Sequence, residues 1–131
     1  MELKNRIKLK MSIENYMKKH IGFQNGTTID DLLEIGFPEK QELIHKSYKR
    51  KLIENWEYSS LKNKIKPILR RMRKDLETFT IAQNAGGEWV YFIIKTKQEA
   101  DTFAGRMESN VKGIRNTEKR AYEAIKNRNG E

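Results

Sequence analysis

Residues 59–94 read SSLKNKIKPILRRMRKDLETFTIAQNAGGEWVYFII, and their hydrophobic periodicity changes halfway along. In the first half, apolar residues recur at spacings of three and four, as they do on one face of a helix. These residues are Leu61, Ile65, Ile68, Leu69, Met72 and Leu76. In the second half, β-branched and aromatic residues flank the turn-forming segment 84–87, which predicts a β-hairpin. The stretch therefore predicts a helix joined directly to a hairpin, within an α+β fold that is mainly helical.

Pro67 lies inside the helical pattern of this stretch. A proline in a helix interior costs about 3 kcal/mol because it removes a hydrogen bond and clashes with the preceding turn. We therefore predict a break near Lys66, with Pro67 opening a helix that continues to Leu76. A single kinked helix is the alternative. Ser59 and Ser60 supply the predicted N-cap of the segment.

Three helical segments are predicted before this stretch. The first covers 3–20, where one apolar stripe recurs at helical spacing. The stripe consists of Leu9, Ile13, Tyr16, Met17 and His20. Thr28 begins a sequence that resembles a capping box and opens a short helix over 29–35. Pro38 suits the first position of a third helix, whose apolar pattern continues over 38–56.

A long helix is predicted over 97–126, opened by the capping box of Thr96 and Glu99. Apolar residues recur along it at spacings of three and four, in a heptad-like seam that Glu118 interrupts. A helix of this length needs a partner surface, so the seam predicts a homodimer. The residues that we expect at the dimer interface are Phe103, Met107, Val111, Ile114, Ala121 and Ile125.

The charge of the chain is unevenly distributed. Its 131 residues include 27 Lys and Arg against 18 Asp and Glu, a formal net charge of +9. Residues 60–76 hold seven Lys and Arg and one Asp, whereas residues 21–37 hold three carboxylates and no cation. A basic excess of this kind indicates an anionic partner rather than a particular fold.

Composition excludes several classes of protein. The chain has no cysteine, so it can form neither a disulfide framework nor a thiolate metal site. Its longest apolar run, residues 89–94, is far shorter than the roughly 20 residues of a membrane helix. The N-terminal residues contain no apolar signal region. We therefore expect a cytoplasmic protein that does not enter a membrane.

The cations of the helix before the hairpin occupy the positions that its apolar stripe leaves free, so burial of the stripe presents them to a partner. They are Lys62, Lys64, Lys66, Arg70, Arg71, Arg73 and Lys74. Arginines suit bidentate contacts to guanine, and lysines suit phosphate. Ser60 at the helix start, with Asn84, Gly86 and Gly87 at the hairpin turn, completes the predicted DNA-binding set. The predicted partner is double-stranded DNA, without a cofactor or a metal.

This order of elements resembles the winged helix-turn-helix superfamily, in which the helix before the hairpin enters the DNA major groove. The segment Ser59–Leu76 is similar to that helix, and residues 84–87 are similar to the tip of the wing. With a long helix after the wing, the chain resembles dimeric winged-helix proteins such as the PadR-type repressors and the bacterial replication terminator protein. The resemblance covers most of the chain as an order of elements, without a residue signature.

The resemblance implies a winged-helix DNA-binding domain at 1–96 and a dimerisation helix at 97–131. It also implies control of transcription or replication by occupancy of a DNA site. Two basic segments, Lys18–Lys19 and Lys49–Lys51, would extend the DNA footprint.

A second helix-turn-helix candidate lies upstream, at residues 28–51, with Gly36 and Phe37 at its turn. Its first helix is acidic, and Glu39 and Glu42 lie where phosphates would approach. We therefore interpret this segment as scaffold, with entry of its second helix into the groove as the alternative.

The sequence leaves alternatives to duplex DNA binding open. The leading alternative is a phage- or plasmid-encoded interaction protein that uses the same cations to bind an acidic protein surface and inhibit a host enzyme. We expect no enzyme, because His20 and His45 stand alone and no phosphate-binding loop or metal-spaced cluster is present. A nuclease built from scattered carboxylates is the third interpretation. Stacking of Trp89, Tyr91 and Phe92 on single-stranded bases is a further alternative, and we prefer core or dimer packing for these rings.

Overall fold

The computed structural model describes residues 2–41 and 55–128 of the chain. These residues form helices and one small three-stranded antiparallel sheet, so the predicted α+β, mainly helical class is confirmed. The chain separates into two structural units, residues 1–96 and residues 97–131. In chain order the elements are α1 (Leu3–Met17), β1 (Thr27–Thr28), α2 (Ile29–Gly36), α3 (Asn55–Arg71), β2 (Thr80–Ala85), β3 (Glu88–Ile93) and α4 (Lys97–Arg128).

The two helices at the start of the chain follow their local sequence signals. Helix α1 begins at Leu3 as predicted and ends one turn early, where the His20 N–H bonds the Met17 carbonyl at 2.9 Å. Helix α2 is capped as predicted, because the Thr28 hydroxyl accepts a hydrogen bond from the Asp31 N–H at 3.3 Å. Of the predicted helix 38–56, residues 38–40 form a 3₁₀ turn, and most of the remainder lies outside the described residues.

Helix α3 is continuous through Pro67, so the predicted break near Lys66 is wrong and the single-helix alternative stands. Ser59 and Ser60 consequently lie inside the helix rather than at its cap. The proline leaves the Asn63 carbonyl without its helical donor. Because Asn63 is exposed, we expect water to replace that donor, while the buried face of the helix keeps the segment together.

The end of helix α3 differs from the predicted helix to Leu76. The α-helix ends at Arg71 and tightens into a 3₁₀ turn, and Asp75 then adopts an extended backbone. The Asp75 carboxylate accepts a hydrogen bond from the Glu77 N–H at 2.9 Å and starts another short turn. This change of direction takes Leu76 off the apolar stripe, and its side chain is 90% exposed.

The predicted hairpin is confirmed, and its strands extend into the predicted turn segment 84–87, so that Gly86 and Gly87 alone connect β2 to β3. Gly86 and Gly87 have φ values of +64° and +93°, which suit the two-residue turns that twist with their strands. The sequence did not predict β1, which pairs antiparallel with β3 through Thr27 and Tyr91. The strand order is therefore β1-β3-β2, with β3 at the centre.

The core of residues 1–96 lies between α1, α2 and α3, and Ile93 of β3 joins it. Leu9, Ile13 and Met17 of the predicted α1 stripe are buried there, whereas Tyr16 and His20 are partly exposed. The predicted stripe of α3 is buried apart from Leu76. The buried apolar residues are Leu9, Ile13, Met17, Leu32, Leu33, Phe37, Leu61, Ile65, Ile68, Leu69, Met72 and Ile93. At its border, the Tyr16 hydroxyl lies 3.0 Å from the Thr27 hydroxyl and ties α1 to β1.

Tyr58 couples α3 to α2 and makes stability sensitive to alkaline pH. Its half-buried hydroxyl donates a hydrogen bond to the Asp30 carboxylate. Burial, and then this hydrogen bond, raise the pKa of Tyr58 far above the usual 10.0, and burial also raises the pKa of Tyr91. A raised pKa in the folded state means that the fold favours the neutral phenol. The contribution of the phenol to the free energy of unfolding is therefore complete below about pH 10 and is lost as pH rises beyond it.

We therefore expect the free energy of unfolding to fall as pH rises from about 8 to about 11. The stability difference between wild type and Tyr58→Phe should shrink over the same interval, because the variant lacks this titrating hydroxyl. Urea unfolding at both pH values measures this. A difference that stays constant would contradict the assigned coupling.

Candidate nucleic-acid interface

Helix α3 carries its cations in two rows. Lys62, Lys66 and Arg70 are spaced four residues apart and therefore lie along one flank. Lys64 and Arg71, seven residues apart, lie along the other flank. The strip between the rows includes the exposed Asn63, and the opposite face is the buried apolar stripe. Burial of the stripe thus leaves Lys64, Arg70 and Arg71 exposed and Lys62 and Lys66 partly exposed, in two rows on either side of the Asn63 strip.

These five cations are available to a partner. In residues 2–41 and 55–128, none of them forms an ion pair, and Glu57 of the same helix pairs with Lys40 at 2.6 Å. The Lys62 ammonium lies 4.6 Å from the centroid of the Tyr58 ring, a cation–π contact that orients it without neutralising it. The two rows therefore present uncompensated positive charge along about two turns of helix.

Arg73 and Lys74 lie in the 3₁₀ turn after α3 and have different surroundings. The Arg73 Nε donates a hydrogen bond to the Thr80 carbonyl at 2.8 Å, which holds the first strand of the hairpin against the end of α3. The Thr78 hydroxyl adds a bond to the Met72 carbonyl at 3.1 Å. Lys74 is exposed. The predicted site residue Arg73 thus positions the hairpin, while Lys74 faces solvent.

The other predicted DNA-binding residues are placed apart from the two rows. Ser60 lies half-buried within α3. Asn84, Gly86 and Gly87 are exposed at the hairpin turn, where the Asn84 side-chain oxygen accepts a hydrogen bond from the Gly87 N–H at 2.9 Å. Asn84 therefore stabilises the turn, and the exposed backbone of the two glycines is what the tip offers to a partner.

The predicted dimer seam lies along helix α4, which extends two residues beyond its predicted end. Its six residues fall within an arc of about 80° at 3.6 residues per turn. Val111, Ile114, Ala121 and Ile125 are exposed, and Ile114 has 61% of its surface accessible. The helix thus carries an apolar row of its own.

Sequence reasoning missed a contribution from α1. Arg6 and Lys10 lie on the side of α1 that faces Lys64 and Arg71 across an open groove. The signal was a second apolar row on this helix, Leu3, Ile7 and Met11 at intervals of four. Of the cations that were predicted to extend the footprint, Lys18 and Lys19 are exposed, and Lys49–Lys51 lie outside the described residues.

The upstream alternative falls largely outside the described residues, and the aromatic residues of the stacking alternative differ in exposure. The second helix of the 28–51 candidate lies mostly outside the described residues, as does His45. Phe92 is fully buried with its ring edge-on to Phe23 at 5.7 Å, and so it cannot stack on a base. Trp89 keeps 46% of its surface accessible.

The described residues offer neither a metal-binding cluster nor a membrane-spanning helix. They contain no group of three or more His, Cys, Asp and Glu side chains that could hold a metal ion. No helix in the same ranges combines the length and the apolar character that crossing a bilayer requires. Comparison with models of known protein families, with curated proteins and with solved structures finds no match to this chain.

Proposed function

We propose that this protein binds double-stranded DNA as a homodimer and regulates transcription or replication by occupying its site. The observation that carries the proposal is the pair of basic rows on α3, which have no ion-pair partners among the described residues. Each cation that contacts a phosphate releases condensed counterions, so such rows favour a polyanion. The arginines can also read guanine edges.

The two-row arrangement suits a helix inserted into the major groove. That groove is about 12 Å wide and admits one α-helix, with a phosphate backbone along each wall. A helix with cations on both flanks can then contact both walls at once. In this proposal Lys62, Lys66 and Arg70 meet one backbone, and Lys64 and Arg71 meet the other.

The order of elements supports a winged-helix domain over 1–96. In residues 2–41 and 55–85, three helices with a short strand among them lead into a hairpin, and Arg73 links α3 directly to the hairpin through Thr80. This link orients the turn 84–87 relative to α3, as a wing that reaches the DNA backbone requires. The Gly87 N–H is held by Asn84, so the exposed Gly86 N–H would serve for a phosphate contact.

Fluorescence anisotropy of a labelled duplex tests the proposal. We expect binding at about 50 mM salt and at least about 10³-fold weaker binding at about 200 mM, because a dimer with two such helices makes many phosphate contacts. Equal affinity at both salt concentrations, or no binding at the lower one, would reject DNA as the partner. The absence of duplex binding would favour the alternative, an inhibitor that binds an acidic protein surface.

The dimer is tested separately through the seam of α4. Ile114→Glu places a charge in the apolar row, so we expect the molar mass from light scattering to fall from that of a dimer to that of a monomer. Lys112→Glu changes a residue on the opposite side of the same helix and is expected to leave the dimer intact. A wild-type protein that is monomeric at micromolar concentration would overturn this part of the proposal.

A further inference from the structure

An open groove lies between helices α1 and α3, with a volume of about 640 Å³. Each helix contributes two cations to its walls, and no carboxylate lines it. The cations are Arg6 and Lys10 from α1, with Lys64 and Arg71 from α3. Apolar side chains lie between them, including Leu9, Pro67 and Ile68. The groove is therefore apolar along its floor and basic along both walls.

An exposed apolar row of α1 continues from this groove. Leu3 and Ile7 line the groove, and Met11 follows one turn later. All three are exposed, although Leu9, Ile13 and Met17 on another face of the same helix are buried in the core. Helix α1 is thus apolar on two faces, and the core covers one of them. Contiguous exposed apolar side chains of this kind mark interaction surfaces.

We propose that this groove binds an acidic amphipathic helix of a partner protein. The groove extends about 10 Å along α1 and about 12 Å along α3, which is two helical turns. Helices that dock in grooves insert apolar side chains at i, i+3 or i+4, and i+7, over the same length. Glutamates bordering such an apolar face would meet Arg6 and Lys10 on one wall, and Lys64 and Arg71 on the other.

Charge complementarity and the apolar row select this occupant. Duplex DNA would satisfy the cations but would leave Leu3, Ile7 and Met11 uncovered. A second copy of this chain is disfavoured, because residues 97–131 have more cations than carboxylates. The acidic helix α2 has Leu32 and Leu33 buried in the core, so its apolar face is not available. The weak exposed pair of Lys10 with Glu14, at 3.8 Å, is readily exchanged for a partner carboxylate.

This inference goes beyond the proposed DNA role and does not require it. Lys64 and Arg71 also belong to the proposed DNA interface, so an acidic helix and duplex DNA would compete for these two cations. The probe is a fluorescein-labelled synthetic helix of about four turns, with leucines along one face and glutamates along both borders. A second peptide has lysine in place of every glutamate, and a third has the same composition in scrambled order. Anisotropy with the full-length protein should show binding of the glutamate peptide, and at least about tenfold weaker binding of the other two.

Two groove variants and one matched control locate the binding. Ile7→Ser removes an exposed apolar contact without changing charge. It should therefore lower the affinity for the glutamate peptide at least about tenfold and leave duplex binding unchanged. Arg6→Gln with Lys10→Gln should also weaken the peptide. Lys18→Gln with Lys19→Gln removes the same charge from the exposed residues just after α1 and should change peptide binding much less.

The outcomes separate this inference from the DNA proposal. Equal peptide affinity for wild type and Ile7→Ser, or equal effects of the two double variants, would overturn the groove as a helix site. A wild-type protein that binds the lysine or scrambled peptide as well as the glutamate peptide would overturn it too. Loss of duplex binding in the groove variants, with peptide binding unchanged, would assign the groove to nucleic acid instead. Circular dichroism confirms that each variant is folded.

Discussion

Replacement of Lys62, Lys66 and Arg70 with glutamine is expected to lower the affinity for duplex DNA by at least about 10²-fold at moderate salt. The three side chains form one row of α3 and have no ion-pair partner among the described residues. Each lost phosphate contact lowers the slope of log K against log salt by about 0.9, so the slope should fall by about 2.7 for each subunit. Anisotropy titrations at several salt concentrations measure both quantities.

The matched control removes three cations from elsewhere in the chain. Lys112, Lys119 and Arg120 are exposed on α4 and lie outside its apolar seam, so their change to glutamine lowers net charge equally. We expect the loss of these three cations to leave most of the slope of log K against log salt unchanged. Similar losses in both triple variants would show that affinity follows net charge rather than the row on α3, and the proposed interface would be withdrawn.

The second large effect concerns stability. Ile65→Ala is expected to lower the free energy of unfolding by about 2–5 kcal/mol, because it leaves a cavity in a core where Ile65 is fully buried. Leu76→Ala should change that free energy by no more than about 0.5 kcal/mol, because Leu76 is 90% exposed. The sequence pattern placed Ile65 and Leu76 on one apolar stripe and so predicted that both are buried. Unequal costs of the two substitutions would agree with the structure and not with that pattern.

Urea unfolding at one fixed protein concentration measures both variants, because the stability of a dimer depends on concentration. A cost for Leu76→Ala close to that of Ile65→Ala would mean that Leu76 is buried in solution. The helix would then continue past Arg71, as the sequence pattern predicted.

Several elements could be predicted from sequence because their signals are local. The cap of α2 needs Thr28 and the N–H of Asp31, three residues away. The hairpin turn needs two adjacent residues with positive φ, and Gly86-Gly87 supplies them at little conformational cost. Helical spacing likewise identified α1, α4 and the buried face of α3. In each of these cases the decisive interaction spans a few residues of chain.

Tertiary structure decided the features that depend on distant residues. The short strand β1 exists because Thr27 pairs with Tyr91, more than sixty residues later. Helix α3 continues through Pro67 because its buried face packs against α1 and α2. This packing outweighs the cost of a proline in a helix interior, which is the effect on which the prediction from sequence rested.

The candidate site likewise combines features that local sequence determines with features that depend on distant residues. The sequence by itself determined that a cation-rich amphipathic helix precedes a hairpin, because charge and spacing are properties of neighbouring residues. Only the tertiary structure decided that Arg73 holds the hairpin through Thr80, and that Arg6 and Lys10 face Lys64 and Arg71 across a groove. The physical reason is that side chains from separate helices meet only when the core between them has packed.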